Sequence, residues 1–379
     1  MTPPEHRTSA GPENPTTEVL RAAAHRGDPV ADALAEVFAH DPSVRGEFHR
    51  SLLHPGVSAR TPEVRALLED LLAHHEGVDD ALLDTASLAT FTVPIAAHAF
   101  DVGAGALIRS YVPPGPAAVL VGTGRLLDDV DARLVSTSRW LTQASLPGGL
   151  RPGRPGWVST AHVRMAHAGV RRAVAVRSPG AAGVPISQLD MVHTWLDFAY
   201  VAPRCAQTIG QDLTREEYGD LVRYWHHLGA LLGIEPHLVR GVSDMASARE
   251  LDDRVGALTG TPSEDSRELT RVGLQALARG LADVSPVPQR FAGLLVDVVA
   301  RAMHGPGLSA ALGIPEHGRT HDLVAPVAAV LRVQRRLLRR SPLAWNAVVR
   351  ANVWSNRSFL RNTRPPVSAE PAAAVASAA

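Results

Sequence analysis

The sequence predicts an all-α fold, read as one helical domain over residues 21–362. Three observations predict it. Apolar residues at helical spacing recur along most of the 379 residues, usually behind a capping residue. Runs with strand alternation are scarce, and no internal repeat is evident. No Gly/Pro-rich stretch is long or polar enough to divide the chain in two.

Taken in order, residues 1–20 are rich in Pro, Thr and Glu and are predicted to be a disordered tail. Asp28 and Pro29 then supply a cap and a first helical residue for VADALAEVFAH. Thr61-Pro62-Glu63 does the same for VRALLEDLLAHH. TASLATFTVPIAAHAF (85–100) is the most apolar long stretch. It contains Pro94 and His98 and suits a buried helix better than a membrane span. PPGPA (113–117), LPGGLRPGRPGW (146–157) and SPGAAGVP (178–185) read as connecting loops, and VSTAHVRMAHAGVRRAVAVR (158–177) as one helix. Thr214 and Glu217 form a capping box before YGDLVRYWHHLGALLG, which ends at Gly233. Ser263 caps EDSRELTRVGLQALARGL. Helical periodicity returns in FAGLLVDVVARAMHG, HDLVAPVAAVLRVQRRLLRR and LAWNAVVRANVWSNRSFL. The last residues, 363–379, are low-complexity sequence read as a second disordered tail.

Composition narrows the chemistry. Formal charge is balanced, with 38 cationic and 38 acidic residues, so nothing in the totals suggests bulk binding to nucleic acid or a membrane. Every cationic side chain is arginine. No lysine is available as a Schiff base, a P-loop cation or a metal ligand. Cys205 is the single cysteine, which excludes an internal disulfide and any cluster held by several thiolates; it reads as a small buried hydrophobe. The N-terminus has neither the apolar core nor the twin arginines of an export signal, so a soluble, cytoplasmic protein is expected.

Several familiar sites are absent: no H-E-x-x-H, no G-x-S-x-G, no Walker loop and no G-x-G-x-x-G; VGTGRL (121–126) is only two glycines. The pairs His74-His75 and His226-His227 point about 100° apart on a helix and are poorly placed to chelate one metal. Asp190-x-x-His193 has the spacing of half a carboxylate di-iron site, but no second half is found.

One stripe stands out. Arg164, His167 and Arg171 lie at offsets 0, 3 and 7, on a face shared with Val163, Val170 and Val174. Two arginines on an apolar face need anions or dense hydrogen bonding. Two readings meet that need. One is a structural network, with both arginines paired to acids on other helices. The other is a cofactor with a metal and carboxylates, which haem satisfies: histidine ligates iron and arginines clamp propionates. Thirty residues before His167, Arg133 and Thr137 share a second face, a cation and a hydroxyl at offset 4. Alone, that pair reads as a solvated surface.

Together these residues resemble the haem-dependent oxygenases typified by bacterial latex-clearing protein (rubber oxygenase), with fungal MpaB-type enzymes as relatives. The resemblance spans roughly residues 80 to 340. It is carried by R-x-x-S-T at Arg133–Thr137, R-x-x-H-x-x-x-R at Arg164–Arg171, PISQLDMVHTWLDF at 185–198 and RYWHHLGALLGIEPHLV at 223–239, with DSRELTRVGLQAL and MHGPGLSAALGIP further on. The resemblance implies a globin-like helical core around one haem b. It implies His167 as the proximal iron ligand, Arg164 and Arg171 as supports for haem or its propionates, and Arg133 and Thr137 on the distal side, where dioxygen and substrate meet.

Two departures follow. The position before the distal threonine, a lysine in latex-clearing protein, is Ser136 here. The upstream glutamate of the polymer-cleaving enzyme falls near PPGPAAV, which has no acid. Extracellular polyisoprene cleavage is therefore not expected. The expected function is oxidation of a small apolar molecule, such as a terpenoid or other secondary metabolite. Two alternatives remain: a non-catalytic haem-binding or sensor protein of the same fold, and a helical protein without cofactor in which the arginines are salt-bridged.

Overall fold

A computed structural model describes residues 13–122, 130–177 and 183–363. Parts of VGTGRL and SPGAAGVP, and most of both tails, lie outside these residues. The described residues contain helices and no strand.

The N-terminal helices are α1 (Thr17–Ala23), α2 (Pro29–His40), α3 (Val44–Leu53), α4 (Pro62–Ala73) and α5 (Asp80–Ser87). The first starts inside the span read as a tail, because the Thr16 hydroxyl accepts from the Val19 amide and caps it. Asp28 caps α2 as expected, accepting from the Ala31 amide. Thr61 precedes α4 but makes no side-chain cap; its hydroxyl donates to Glu47 instead.

The stretch read as one buried helix over 85–100 is broken. A 3-10 turn (Leu88–Thr92) meets Pro94, whose ring cannot continue it, and the four-residue α6 (Ile95–His98) follows. The chain then adopts a π-helical stretch, Ala99–Leu107. PPGPA, read as a loop, holds the start of α7 (Pro114–Gly122). The proline signal was correct but its meaning was not: proline is favoured in a first helical turn.

The central pair is α8 (Val130–Ser145) and α9 (Pro155–Arg177), which pack on each other; α9 also lies along α2. After it come α10 (Gln188–Leu196), a second π-helical stretch (Asp197–Val201), α11 (Ala202–Thr208) and α12 (Arg215–Leu231). The chain continues through α13 (Met245–Thr259), α14 (Glu264–Val284), α15 (Gln289–Ala311), α16 (Val324–Arg339) and α17 (Pro342–Asn362). The capping box at Thr214 and the Ser263 cap form as read from the sequence. Gly305 (φ 75°) and Pro306 kink α15.

The buried apolar residues form two clusters. The larger joins α2, α3, α4, α9, α10, α12 and α13, with Trp157, Trp195 and Tyr224 among its largest enclosed side chains. The smaller joins the end of the first π stretch, α7, α14 and α15, with Ile108 and Tyr111 at its centre. Helix α8 spans the seam. Val130 and Leu134 pack in the smaller cluster, Trp140 and Ala144 in the larger. Residues on the middle of α8 are thus held between two cores, where binding pockets commonly form. Cys205 is fully buried, and burial pushes its thiol up to about 12. No described helix is long and apolar enough to cross a membrane.

Candidate functional site

Helices α2 and α9 are joined by a ladder of charge. Acids on α2 and just before it, Asp28, Asp32 and Glu36, recur once per turn and meet Arg164, Arg171 and Arg172. Asp28 both caps α2 and grips Arg164, taking Nε at 2.6 Å and Nη2 at 3.0 Å. Nη1 of the same guanidinium donates to Asp70 at 2.6 Å. All three nitrogens of Arg164 are therefore engaged by carboxylates. This is the structural network posed as one of the two sequence readings.

Arg171 is only partly satisfied. Nε donates to Asp32 at 2.7 Å and Nη1 to the Ile186 carbonyl at 3.1 Å. Nη2 is buried with no hydrogen-bond partner. Ile186 holds φ 51°, a left-handed conformation unfavourable for a β-branched residue. The strain turns its carbonyl toward Arg171.

His167 sits between these two arginines on α9 and is left out of the ladder. Neither ring nitrogen makes a hydrogen bond among the described residues, and Nδ1 is fully enclosed. Burial, together with the charges of Arg171 and Arg133 and against a smaller opposite pull from Asp28, lowers its pKa to about 4. The ring is therefore neutral at pH 7, with a lone pair to offer a metal. Nδ1 lacks the acceptor that commonly orients a metal-bound histidine, so packing alone orients this ring.

Arg133 belongs to the same electrostatic environment. Its guanidinium has no hydrogen bond or ion pair among the described residues, and burial lowers its pKa. Its side chain is nonetheless exposed to solvent. Thr137, one turn on along α8, is half-buried, as is Ser136. The hydroxyl of Thr137 is without a hydrogen-bond partner among the described residues. The structure thus places Arg133 and His167 within mutual electrostatic influence and keeps Arg164 in a closed ion network.

Tyr111 was missed by sequence reasoning. It is 3% exposed, and burial raises its phenol pKa, offset by the nearby Arg133 cation. No hydrogen bond to its hydroxyl exists among the described residues. It stands just before PPGPA, where the acid of the polymer-cleaving enzyme would fall. The only signal in the sequence was a lone tyrosine beside an apolar turn.

The other motifs serve the scaffold. Asp190 closes a capping box with Ser187, accepting from its amide and hydroxyl at 2.9 Å. His193 instead faces Arg109 (Nη1 to Nε2, 2.6 Å), which pairs with Asp197 (2.9 Å) and Asp252 (2.5 Å). The two residues of the D-x-x-H spacing thus serve separate contacts, a helix cap and a buried ion knot, and no group of three or more potential metal ligands occurs among the described residues. Trp195 donates to the Trp225 carbonyl at 2.7 Å and stacks on His226, while Phe198 stacks on Trp225. PISQLDMVHTWLDF and RYWHHLGALLG are thus two halves of one aromatic interface.

The donor set fits haem in its chemistry. It comprises a neutral histidine with no protein partner, a half-free arginine and an exposed arginine unpaired among the described residues, which together suit an anionic metal macrocycle. Comparison with known proteins identifies the family. The profile of the family described as "ER-bound oxygenase mpaB/B'/Rubber oxygenase, catalytic domain" matches residues 94–340. No curated protein sequence matches. Among solved structures, latex clearing protein in its closed state is similar, with a TM-score of 0.65 and 16% identity over 89% of this chain and 91% of that one. At that identity the likeness shows the fold.

Proposed function

From the premise that the chain belongs to the MpaB and rubber oxygenase family, we propose that it is a haem b-dependent oxygenase acting on a small apolar substrate. The observation that carries this reading is His167: half-buried with its Nδ1 enclosed, neutral and unpartnered among the described residues, beside the charges of Arg171 and Arg133. Haem, when bound, supplies the activation of dioxygen.

The residues of the chain divide the remaining work. His167 would hold the iron. The free Nη2 of Arg171 would donate to a propionate, while its Nε and Nη1 stay anchored to Asp32 and Ile186. Arg164 is a positioning residue, pinning α9 to α2 through Asp28. Arg133 and Thr137 would supply a cation and a hydroxyl able to hydrogen-bond dioxygen or substrate. The Tyr111 phenol shares the electrostatic environment of Arg133 and is a proton-bearing group beside it. The two apolar clusters pack against opposite ends of α8. A cytoplasmic location and a terpenoid-like substrate complete the proposal.

The test is oxygen consumption by haem-loaded protein with a panel of small isoprenoid hydrocarbons, read with ¹⁸O₂ and mass spectrometry. Substrate-dependent uptake with label in product is expected. Arg133→Gln should lower turnover by about 10²-fold without removing the haem band. Saturable haem binding with no substrate-dependent uptake would overturn the oxygenase reading and leave a haem-binding protein of this fold.

A further inference from the structure

Helix α16 is packed inside out. Three of its four arginines face the protein: Arg332 pairs with Asp212 at 2.9 Å, Arg335 donates to Gln211 at 2.9 Å and to the Thr92 carbonyl at 2.6 Å, and Arg339 reaches Glu217. Its aliphatic residues face outward. Leu323 leads into the helix, and Val327, Val330, Val333 and Leu337 follow at offsets of 4, 7, 10 and 14, a single stripe. These five are between 54% and 68% exposed. Leu343, at the turn into α17, is 84% exposed. A stripe of this length is the part of an amphipathic helix that ordinarily faces a core. Here the charged face is docked and the apolar face is left open.

Charge says what covers it. From Val324 to Asn362 the chain has eight arginines and no Asp or Glu. The whole-chain balance conceals this, because the remainder is net acidic by the same amount. Arg336 and Arg340 flank the stripe, exposed and without hydrogen bond or ion pair among the described residues. A second copy docked by twofold symmetry would set this cationic rim against itself. An aliphatic stripe rimmed by unpaired arginines and lying along one surface helix complements an anionic lipid surface. We propose that α16 docks the protein on anionic bilayers, with the stripe in the acyl boundary and Arg336 and Arg340 at the phosphates. Binding is peripheral, in the plane of the interface, and needs no spanning segment.

Vesicle flotation of the full-length protein tests this, with phosphatidylcholine vesicles compared with vesicles containing one-third phosphatidylglycerol. Co-flotation with the anionic vesicles, weakened by salt, is expected. Val330→Glu/Leu337→Glu should reduce the bound fraction by about tenfold or more, and Arg336→Gln/Arg340→Gln by about tenfold with a shallower salt dependence. All four positions are exposed, and an unchanged circular dichroism spectrum verifies the fold. The second pair leaves the stripe intact and tests the proposal if the first fails to fold. Wild-type protein that does not float with anionic vesicles at low salt overturns the proposal. So does binding that both variants retain, or a dimer in sedimentation velocity that Val330→Glu/Leu337→Glu dissolves.

Discussion

Asp28 holds Arg164 through both carboxylate oxygens, Oδ2 to Nε at 2.6 Å and Oδ1 to Nη2 at 3.0 Å, while its Oδ1 also caps α2. One carboxylate thereby sets the position of the helix that carries His167. Both partners are buried, so removing either leaves the other only partly compensated, Arg164 by Asp70 and Asp28 by the Ala31 amide. Arg164→Met should destabilise the fold by about 3–5 kcal/mol in urea unfolding. Asp28→Asn should do much of the same, and the two should be strongly non-additive in a double-mutant cycle. Simple additivity would show that the pair does not act as a unit.

Arg133 predicts the opposite. Its side chain is exposed and its guanidinium is unpaired among the described residues, so it adds little to stability. Arg133→Met should leave the apoprotein as stable as wild type, within about 1 kcal/mol, or more stable. A loss as large as that of Arg164→Met would mean that Arg133 is held by partners and is part of the scaffold.

Gly233 makes room for the ion pair. It holds φ +83°, and a Cβ there would lie 2.3 Å from Asp28 Oδ2 and 2.7 Å from Arg164 Nε. Gly233→Ala combines a strained conformation with displacement of the pair, and a loss above about 2 kcal/mol is expected. The thermal midpoint checks it. A midpoint equal to that of wild type would contradict the tight approach of α12's end to α2 and α9.

Burial pushes four histidines, His162, His167, His227 and His304, to about 4. His49 adds to the effect on His162, and His75 to that on His227. Each titrates near 6.5 when unfolded. Between about pH 6.5 and 4 the unfolded chain binds more protons at these sites. Stability at these sites is fully present above pH 6.5 and falls as the pH drops through that window. Urea midpoints at pH 7.5 and 5 should differ, and His227→Gln should narrow the gap by at most about 2 kcal/mol. An unchanged gap would show that His227 is protonated in the native state.

The helical class was legible because its signals are local. Asp28-Pro29, Thr214 with Glu217, and Ser263 each satisfy backbone amides within a turn of themselves. Misreadings arose where one residue type carries two local meanings. Proline opened α7 where a loop was read, and Pro94 broke a stretch that hydropathy alone made continuous. The stripe of Arg164, His167 and Arg171 was visible as a question but not as an answer. Its acids lie about 135 residues away, and only the packing of α2 on α9 brings them together. The once-per-turn spacing of Asp28, Asp32 and Glu36 was present in the sequence, and a search for a complementary ladder would have found it. Tyr111 was not recoverable this way, because its relation to Arg133 depends on how α8 crosses the seam between the two clusters.

The central claim is that His167 holds haem, and absorption titration of the purified protein with haem tests it most directly. The wild type should saturate at one equivalent with a sharp Soret band, and His167→Ala should lose or greatly weaken that band while remaining folded. A Soret band and an affinity unchanged by His167→Ala, or wild-type protein that shows no saturable binding, would contradict it.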